Sequence, residues 1–390
     1  MKKNKDENNT TGYIEGYYGK LLSWENRKLI ISSLQKNNMN TYFYAPKEDE
    51  YHRLNWRKKY DLDWRKNFRD FTKFSKRNNI DVIAGIAPGL DFDFNKFNDK
   101  TDYKDNIDYI LLYNKSKQLL DDGANSIALL LDDIPEDFKN KFGDKISEGT
   151  SHGILANTLF KSLGKNIYFV PRIYADELIN DEPNYLKDLS SVLDSKIKVF
   201  YCGRNVVSKT LTNYSKIKKI LSNEIILWDN YYANDYCPRR FFIGPFLGRK
   251  KLNNIMVNPT GLINTDLMIL DIVASNRSNN LFINEWKKIL KAHGVPVIFD
   301  KIKQYFFKPD FGSDPLLKTL SANTKHIEAI DFLLWKWKSD LSREWYPFLF
   351  SLKHDLQLKL NILTSERLIK TQTIPLSEYV IKKLNKGELK

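Results

Sequence analysis

Short apolar runs alternate with amphipathic stretches along the first two thirds of the chain, and this alternation constrains the fold most. The runs predict strands at residues 12–16, 40–45, 81–87, 126–131, 166–170, 198–202, 224–228 and 254–257. The stretches predict helices at residues 24–35, 64–77, 105–120, 154–163, 211–222 and 263–274. Eight strands interleaved with these helices in about 265 residues predict an α/β fold, a (β/α)8 TIM barrel. A doubly wound open sheet is the alternative, but it does not usually need eight strands.

The chain divides into three predicted parts. Residues 1–10 form a disordered polar tail, residues 11–278 the catalytic barrel, and residues 279–390 a C-terminal helical domain. In the last part, Leu-, Trp- and Phe-rich stretches predict helices at residues 285–292, 327–337 and 344–362. These helices pack either on the barrel or on a second copy of the chain, so a homodimer through them is one of the two arrangements that we expect.

The chain is basic, and this charge has two explanations. Lys and Arg number 62 against 48 Asp and Glu, which gives a formal net charge of +14. A nucleic-acid-binding protein would explain the excess. The basic residues are, however, interspersed with acids throughout, as a general compositional bias would leave them. We therefore predict no nucleic-acid partner.

Few residues of the kinds that hold cofactors are present. The chain has two cysteines, Cys202 and Cys237, and its five histidines show no metal-ligand spacing. No glycine-rich phosphate loop follows a predicted strand, so we predict no cofactor and no metal. The basic start at residues 1–5 is not followed by an apolar segment, and no run of about 18 apolar residues occurs. We therefore expect a soluble, cytoplasmic protein without a membrane partner.

Polar residues cluster directly after the predicted strands. They are Glu15, Gly16, Lys47, Asp132, Asp133, Tyr174, Asn230 and Asn258. In a (β/α)8 barrel, the carboxyl ends of all strands lie on one face, and that face carries the active site. The sequence therefore predicts that these side chains converge on a single catalytic site.

The pair Asp132-Asp133 follows the buried strand SIALLL. Repulsion between adjacent carboxylates and their partial desolvation should separate the two pKa values, so that one group is ionised and the other protonated near neutrality. Glycoside hydrolysis uses two carboxylates in this way. Helix capping by an aspartate is the alternative explanation, but it accounts less well for a pair in this position.

A second constellation follows the seventh strand. Trp228, Asp229 and Asn230 precede Asn234, Asp235 and Tyr236. Amide and carboxylate groups interleaved with aromatic rings suit a sugar, because they bind its hydroxyls while the rings stack on its C–H face. An ordinary polar loop around one buried tryptophan is the alternative.

Taken together, these segments resemble glycoside hydrolase family 84, the β-N-acetylglucosaminidases that include the protein O-GlcNAcases and that have also been labelled hyaluronidases. The similar segments cover about residues 11–295: GYIEGYYG (12–19), NTYFYAPKEDEYHR (40–53), IAPGLD (86–91), SIALLLDDI (126–134), VVS (206–208), LWDNYYANDY (227–236), GP (244–245) and VNP (257–259). The segment PRIY (171–174) departs from the Pro-Thr-Glu-Tyr that is usual in the family.

The resemblance implies an exo-acting, retaining enzyme that removes terminal β-linked GlcNAc, for example from Ser or Thr of a glycoprotein or from another glycoconjugate. It implies substrate-assisted catalysis through an oxazoline. By the same resemblance, Asp132 orients the substrate's acetamido group and Asp133 is the general acid. The implied sugar-binding residues are Gly16, Lys47, Asn230, Asp235 and Asn258, and Tyr174 and Trp228 match the acetamide pocket.

Two alternatives to this function stay open. The enzyme could act on a glycan such as hyaluronan or a peptidoglycan fragment, and the sequence does not distinguish GlcNAc from GalNAc substrates. The chain could also be a catalytically silent carbohydrate-binding barrel. The presence of both carboxylates, Asp132 and Asp133, argues against a silent barrel.

Overall fold

A computed structural model describes most of the chain. The described residues are 9–95, 97, 105–143, 147–181, 184–208, 215–246, 248–249, 253–278, 282–307, 322–362 and 385–386. No helix in these ranges combines the length and the apolar character needed to span a bilayer.

Eight parallel strands close into a barrel in chain order, which confirms the predicted (β/α)8 fold. They are β1 (Thr11–Glu15), β2 (Thr41–Tyr44), β3 (Asp81–Ile86), β4 (Ser126–Leu130), β5 (Ile167–Val170), β6 (Lys198–Tyr201), β7 (Ile225–Asp229) and β8 (Ile255–Val257). The barrel closes at β1, where Tyr13 pairs with Tyr42 of β2 on one side and with Val257 of β8 on the other.

Helices follow the strands and continue beyond the barrel. The described helices are α1 (Trp24–Lys36), α2 (Leu62–Arg77), α3 (Ile107–Asp121), α4 (Phe138–Phe142), α5 (Glu148–Leu163), α6 (Tyr185–Val192), α7 (Ser215–Ile220), α8 (Ile263–Ser278), α9 (Phe282–Ala292), α10 (Thr324–Trp335) and α11 (Asp340–Lys359). The first four residues of the predicted helix 211–222 lie outside the described residues. Helices α4 and α6 were not predicted, because segments of five and eight residues are too short to show a helical period.

Alternate residues of each strand fill the barrel interior. Ile14, Phe43, Phe200 and Trp228 are members of one buried cluster there, in which the Phe43 and Phe200 rings stack with centroids 5.0 Å apart. Strand β4 is apolar on both faces, and its residues from Ile127 to Leu130 are all buried. This is the burial expected of a parallel strand that is covered by helices outside and by the core inside.

The described residues form two compact units. The first contains the barrel and consists of residues up to 235 together with 245–282, while the second consists of 236–244 and residues from 283 onward. That residues 236–244 belong to the second unit was not predicted. Two residues assigned to the disordered tail belong to the barrel instead: the buried Thr10 donates its N–H to Asn254 Oδ1, and the Asn9 carbonyl accepts from Asn40 Nδ2.

Glu15 ends β1, but its side chain does not point into the catalytic site. Its carboxylate accepts two hydrogen bonds of 2.8 Å from Arg27 on α1 and one of 2.5 Å from the Tyr42 hydroxyl. Both charged side chains are buried, at 0% and 3% exposure. The prediction that Glu15 faces the site is therefore wrong, because side chains alternate along a strand and Ile14 takes the interior position.

We expect Arg27→Met to lower the free energy of unfolding by about 3–5 kcal/mol, because it leaves the Glu15 carboxylate buried without its counter-charge. Urea denaturation measures this loss. Lys117→Ala is the matched control, since Lys117 pairs with Asp121 at the surface, where both side chains are 56% exposed, and such a loss changes stability by less than about 0.5 kcal/mol. Equal effects of the two substitutions would contradict the prediction.

Candidate active site

The carboxyl ends of the strands bring four of the predicted site residues into direct contact. Lys47 follows β2, Asp132 and Asp133 follow β4, and Tyr174 follows β5. Hydrogen bonds and ion pairs connect these four side chains directly. The convergence expected from the strand positions is therefore present in the fold.

Lys47 is the link between the two carboxylates. Its ammonium nitrogen lies 2.5 Å from Asp132 Oδ2 and 3.7 Å from Asp133 Oδ2. The Lys47 and Asp132 side chains are 2% and 8% exposed, whereas that of Asp133 is 32% exposed. One cation therefore offsets two like charges where water is largely excluded. Asp133 is therefore the more accessible of the two carboxylates.

Asp133 is held on both of its oxygens. Tyr18 donates its hydroxyl hydrogen to Oδ2 at 2.9 Å, and Tyr174 donates to Oδ1 at 2.7 Å. The Asp133 backbone adopts φ +52°, a left-handed conformation that a non-glycine residue rarely takes. Backbone conformation and side-chain bonds together fix the direction in which this carboxylate points.

These contacts change the acidity that we expected for Asp133. Burial raises the pKa of the carboxyl, but the Lys47 ammonium, the hydrogen bonds from Tyr174 and Tyr18, and the Arg53 guanidinium together bring it below its usual value. The prediction that repulsion leaves one group of the pair protonated near neutrality is wrong for Asp133 in the ligand-free protein. The reason is that Lys47 lies between the two aspartates and offsets the repulsion.

One oxygen of the Asp132 carboxylate is unpartnered among the described residues. Its Oδ2 binds Lys47, whereas Oδ1 is buried and has no hydrogen-bond partner among the described residues. A buried carboxylate oxygen without a donor is costly, and in a native protein it calls for a missing partner such as a ligand. The atom is therefore suited to accept an N–H or O–H from a molecule bound in the site.

Strands β7 and β8 contribute a second network. Asn230 Oδ1 accepts from Trp228 Nε1 and from Asn258 Nδ2, both at 2.9 Å. Asn258 Oδ1 in turn accepts the Gly16 N–H at 3.1 Å. A Cβ built on Gly16 would lie 2.4 Å from the Trp228 ring, so only glycine fits against this tryptophan. The network fixes the Trp228 ring at the mouth of the barrel.

The other two predicted residues lie after β7. Asp235 belongs to the barrel unit, and its Oδ2 accepts the Tyr18 N–H at 3.0 Å. Tyr236 is the first residue of the second unit, and its side chain is 43% exposed. The structure therefore joins Asp235 to the loop after β1, whereas a role for Tyr236 in binding substrate stays a prediction.

The departure at residues 171–174 leaves Tyr174 in place. The Arg172 side chain turns away and forms two hydrogen bonds of 2.7 Å to Glu148 at the start of α5. Its backbone N–H donates to the Tyr185 hydroxyl at 3.0 Å. The unusual arginine is thus held by α5 and by the segment that begins α6, and the Tyr174 hydroxyl still reaches Asp133.

Comparison with known sequences identifies the family. The sequence model of the beta-N-acetylglucosaminidase family matches residues 11–271, which span the whole barrel. The chain belongs to this family of glycoside hydrolases. The resemblance to family 84 noted from the motifs is confirmed, as is the assignment of the barrel to a glycosidase.

Individual members of the family show the same similarity. The chain is 29% identical over 286 residues to the Protein O-GlcNAcase of Rattus norvegicus and, equally, to that of Mus musculus. The aligned part is 69% of this chain but 30% of each relative, so the chain spans less than a third of their length. A solved structure, that of CpGH84B, superposes with a TM-score of 0.69 at 21% identity and covers 98% of this chain and 73% of its own.

Two residues that hold Asp133 were not singled out from the sequence. Tyr18 and Arg53 lie within the segments that resemble the family, EGYYG and YHR, but neither directly follows a strand. Arg53 donates to the Asp133 carbonyl and to the Tyr18 hydroxyl. Their position in otherwise family-like segments was the only available signal. Within the described ranges, no group of three or more His, Cys, Asp or Glu side chains is arranged to hold a metal ion.

We expect Tyr174→Phe to raise the pKa of Asp133, because it removes a hydrogen bond that favours the carboxylate. If Asp133 must be protonated to act, its protonated form then persists to higher pH. The basic limb of the kcat/KM profile therefore moves upward, as measured with a chromogenic β-GlcNAc substrate. A limb that stays in place or moves downward would contradict the expected effect of Tyr174.

Proposed function

We propose that the barrel is a retaining exo-β-N-acetylglucosaminidase that uses the substrate's own acetamido group as nucleophile. The observation that supports this most is the division of the carboxylate pair: Asp132 is buried with an unpartnered Oδ1, and Asp133 is more exposed and is held by tyrosine hydroxyls. The first carboxylate suits an N–H of a bound sugar. The second suits proton exchange with the leaving group and with water.

In the first step of this proposal, the acetamido oxygen attacks C1 and the bond from C1 to the leaving oxygen breaks. Asp132 Oδ1 accepts the acetamido N–H and stabilises the positive charge that develops on the group. Asp133, in its protonated form, gives its proton to the leaving oxygen. The products are the free aglycone and a bicyclic oxazoline in its N-protonated form, whose N–H stays hydrogen-bonded to Asp132. Intramolecular attack makes a third catalytic carboxylate unnecessary.

In the second step, a water molecule attacks C1 from the side that the aglycone has left. Asp133, now a carboxylate, takes a proton from this water, and the bond between C1 and the acetamido oxygen breaks. The acetamido group is regenerated and the sugar keeps its anomeric configuration. Two inversions at C1 account for the retention, and both protonation states of Asp133 are used within one turnover.

Trp228 and its neighbours form the floor of the proposed sugar pocket. The ring packs edge-on against Phe43 and Phe200, with centroid distances of 5.6 and 5.9 Å, and it is 6% exposed. A rigid aromatic surface of this kind suits the methyl group of an acetamide. Gly16, Lys47, Asn230, Asp235 and Asn258 remain the proposed contacts to the sugar hydroxyls.

We propose glycoproteins with O-GlcNAc on Ser or Thr as the substrate, because the curated relatives are named Protein O-GlcNAcase. A cytoplasmic location accords with the two cysteines, Cys202 and Cys237, which are not joined in a disulfide. Comparing hydrolysis of an O-GlcNAc peptide, an aryl β-GlcNAc, an aryl β-GalNAc and hyaluronan tests the proposal. Hydrolysis of hyaluronan alone would favour the glycan-directed alternative, and binding without hydrolysis would favour a silent barrel.

We expect Asp133→Asn to reduce turnover of an O-GlcNAc peptide by about 10²–10⁴-fold, the usual contribution of a general acid. An aryl glycoside with an activated leaving group should lose far less, since its departing oxygen needs little protonation. Steady-state rates on the two substrates measure the ratio. Equal losses on both would show that Asp133 is not the acid.

Asp132→Asn, in contrast, should harm both classes of substrate by about 10²–10³-fold, because acetamide attack precedes every departure. A thiazoline that mimics the oxazoline should bind wild type at least about 10²-fold more tightly than GlcNAc, and much of this gain should disappear in the variant. Calorimetric titration measures both affinities. A thiazoline that binds wild type no better than GlcNAc would overturn the substrate-assisted mechanism.

A further inference from the structure

Arg53 forms a closed ring of contacts with the residue proposed as the acid. Its Nη2 donates to the Asp133 carbonyl at 2.5 Å, and its Nη1 donates to the Tyr18 hydroxyl at 3.0 Å. The Tyr18 hydroxyl donates to Asp133 Oδ2 at 2.9 Å, which closes the ring. One guanidinium therefore contacts the backbone of Asp133 directly and its side chain through Tyr18.

We infer that Arg53 is a positioning residue that fixes the backbone of Asp133 and the direction of the Tyr18 hydroxyl. This inference rests on the proposed role of Asp133 as acid and base. It assigns Arg53 no contact with the substrate. Arg53 acts on the reaction through Asp133 and Tyr18.

The first part of this role, which is to hold the backbone of Asp133, follows from the φ angle of that residue. Asp133 adopts φ +52°, which costs a non-glycine residue free energy unless its surroundings hold it there. A hydrogen bond from a guanidinium to the carbonyl of the same residue supplies such a hold, and bonds from charged donors are about twice as strong as neutral ones. In this conformation the carboxylates of Asp132 and Asp133 lie 2.5 Å and 3.7 Å from the Lys47 ammonium nitrogen.

Arg53 also fixes the direction of the Tyr18 hydroxyl, because of the hydrogen bond that it donates to the Tyr18 oxygen. Because Arg53 has only N–H donors, the Tyr18 oxygen must accept from it, and the hydroxyl hydrogen is left to point at Asp133 Oδ2. Burial and the Asp133 charge raise the pKa of Tyr18, so this hydrogen stays in place. Arg53 thereby keeps Tyr18 as a donor to the carboxylate.

The titration of Asp133 reports this role separately from activity. Among the described residues, the ionisable groups near the carboxyl are Asp132, Lys47, Tyr18, Tyr174, Arg53 and the buried Cys202 thiol. Removing Arg53 takes away a nearby positive charge and frees the Tyr18 hydroxyl to rotate. Both changes disfavour the carboxylate, so the pKa of Asp133 should rise.

The test compares wild type, Arg53→Gln and Arg53→Lys. Misplacement of a catalytic group by about 1 Å costs about 10²-fold, so we expect Arg53→Gln to lose about that factor on an O-GlcNAc peptide and less than about threefold on an activated aryl glycoside. Its basic limb in kcat/KM should move to higher pH. Arg53→Lys keeps the charge but not the two-pronged geometry, so it should recover the limb and not the rate on the peptide.

Arg69→Gln is the matched control, because Arg69 lies on α2 and pairs with Asp122, outside the site, and it should leave both rates unchanged. In parallel, the Asp133 carboxyl is titrated by ¹³C NMR in the ligand-free proteins, with the signal assigned by its loss in Asp133→Asn. Equal losses on both substrates with an unchanged carboxyl titration would overturn the inference. If wild type hydrolyses neither substrate, the proposed function fails, and the carboxyl titration alone then decides whether Arg53 acts on Asp133.

Discussion

The site depends on one buried ammonium group. Lys47 lies between two aspartates that are adjacent in the chain, with its nitrogen 2.5 Å from one carboxylate and 3.7 Å from the other. Two adjacent carboxylates with restricted access to water would otherwise repel each other and tend to take up a proton. Because Lys47 offsets this repulsion, both carboxylates can stay close together at the carboxyl end of β4. The arrangement of the hydroxyl donors around Asp133 is useful only once this condition is met.

The loop after β2 is built to hold this ammonium in place. Within it, Asp49 accepts hydrogen bonds from the hydroxyls of Tyr44, at 2.6 Å, and Tyr60, at 2.8 Å. Lys115 of α3 is fully buried and donates to the carbonyls of Tyr51 and Lys58. Burial lowers the pKa of Lys115 to about 7. Buried polar groups satisfied in this way specify a single conformation of the segment that carries Lys47 and Arg53.

Strands and the residues directly after them could be predicted from the sequence, because they depend on the pattern of apolar residues and on position along the chain. Strands such as β4 are read from continuous apolar runs, and the residues that follow them must meet at one face of a barrel, which placed Lys47, Asp132 and Tyr174 correctly. Contacts that depend on side-chain direction were not accessible in this way. Glu15 lies at the end of a strand, much as Asp132 does, yet the Glu15 side chain points outward to Arg27. Residues 236–244 belong to the second unit, although their composition does not differ markedly from that of the barrel.

The acidity of Asp133 was mispredicted for a related reason. Repulsion between neighbours in the chain is visible in a sequence, whereas the cation and hydroxyls that offset it come from three other strand ends. The lowered pKa of Asp133 bears on the two steps of the proposed reaction. The ligand-free site favours the carboxylate of Asp133, the form that takes a proton from water in the second step of the proposed reaction. The first step of that reaction needs the acid, so Asp133 must carry a proton by the time the leaving oxygen departs. The proposed reaction therefore requires protonation of a group whose surroundings in the ligand-free protein favour the carboxylate.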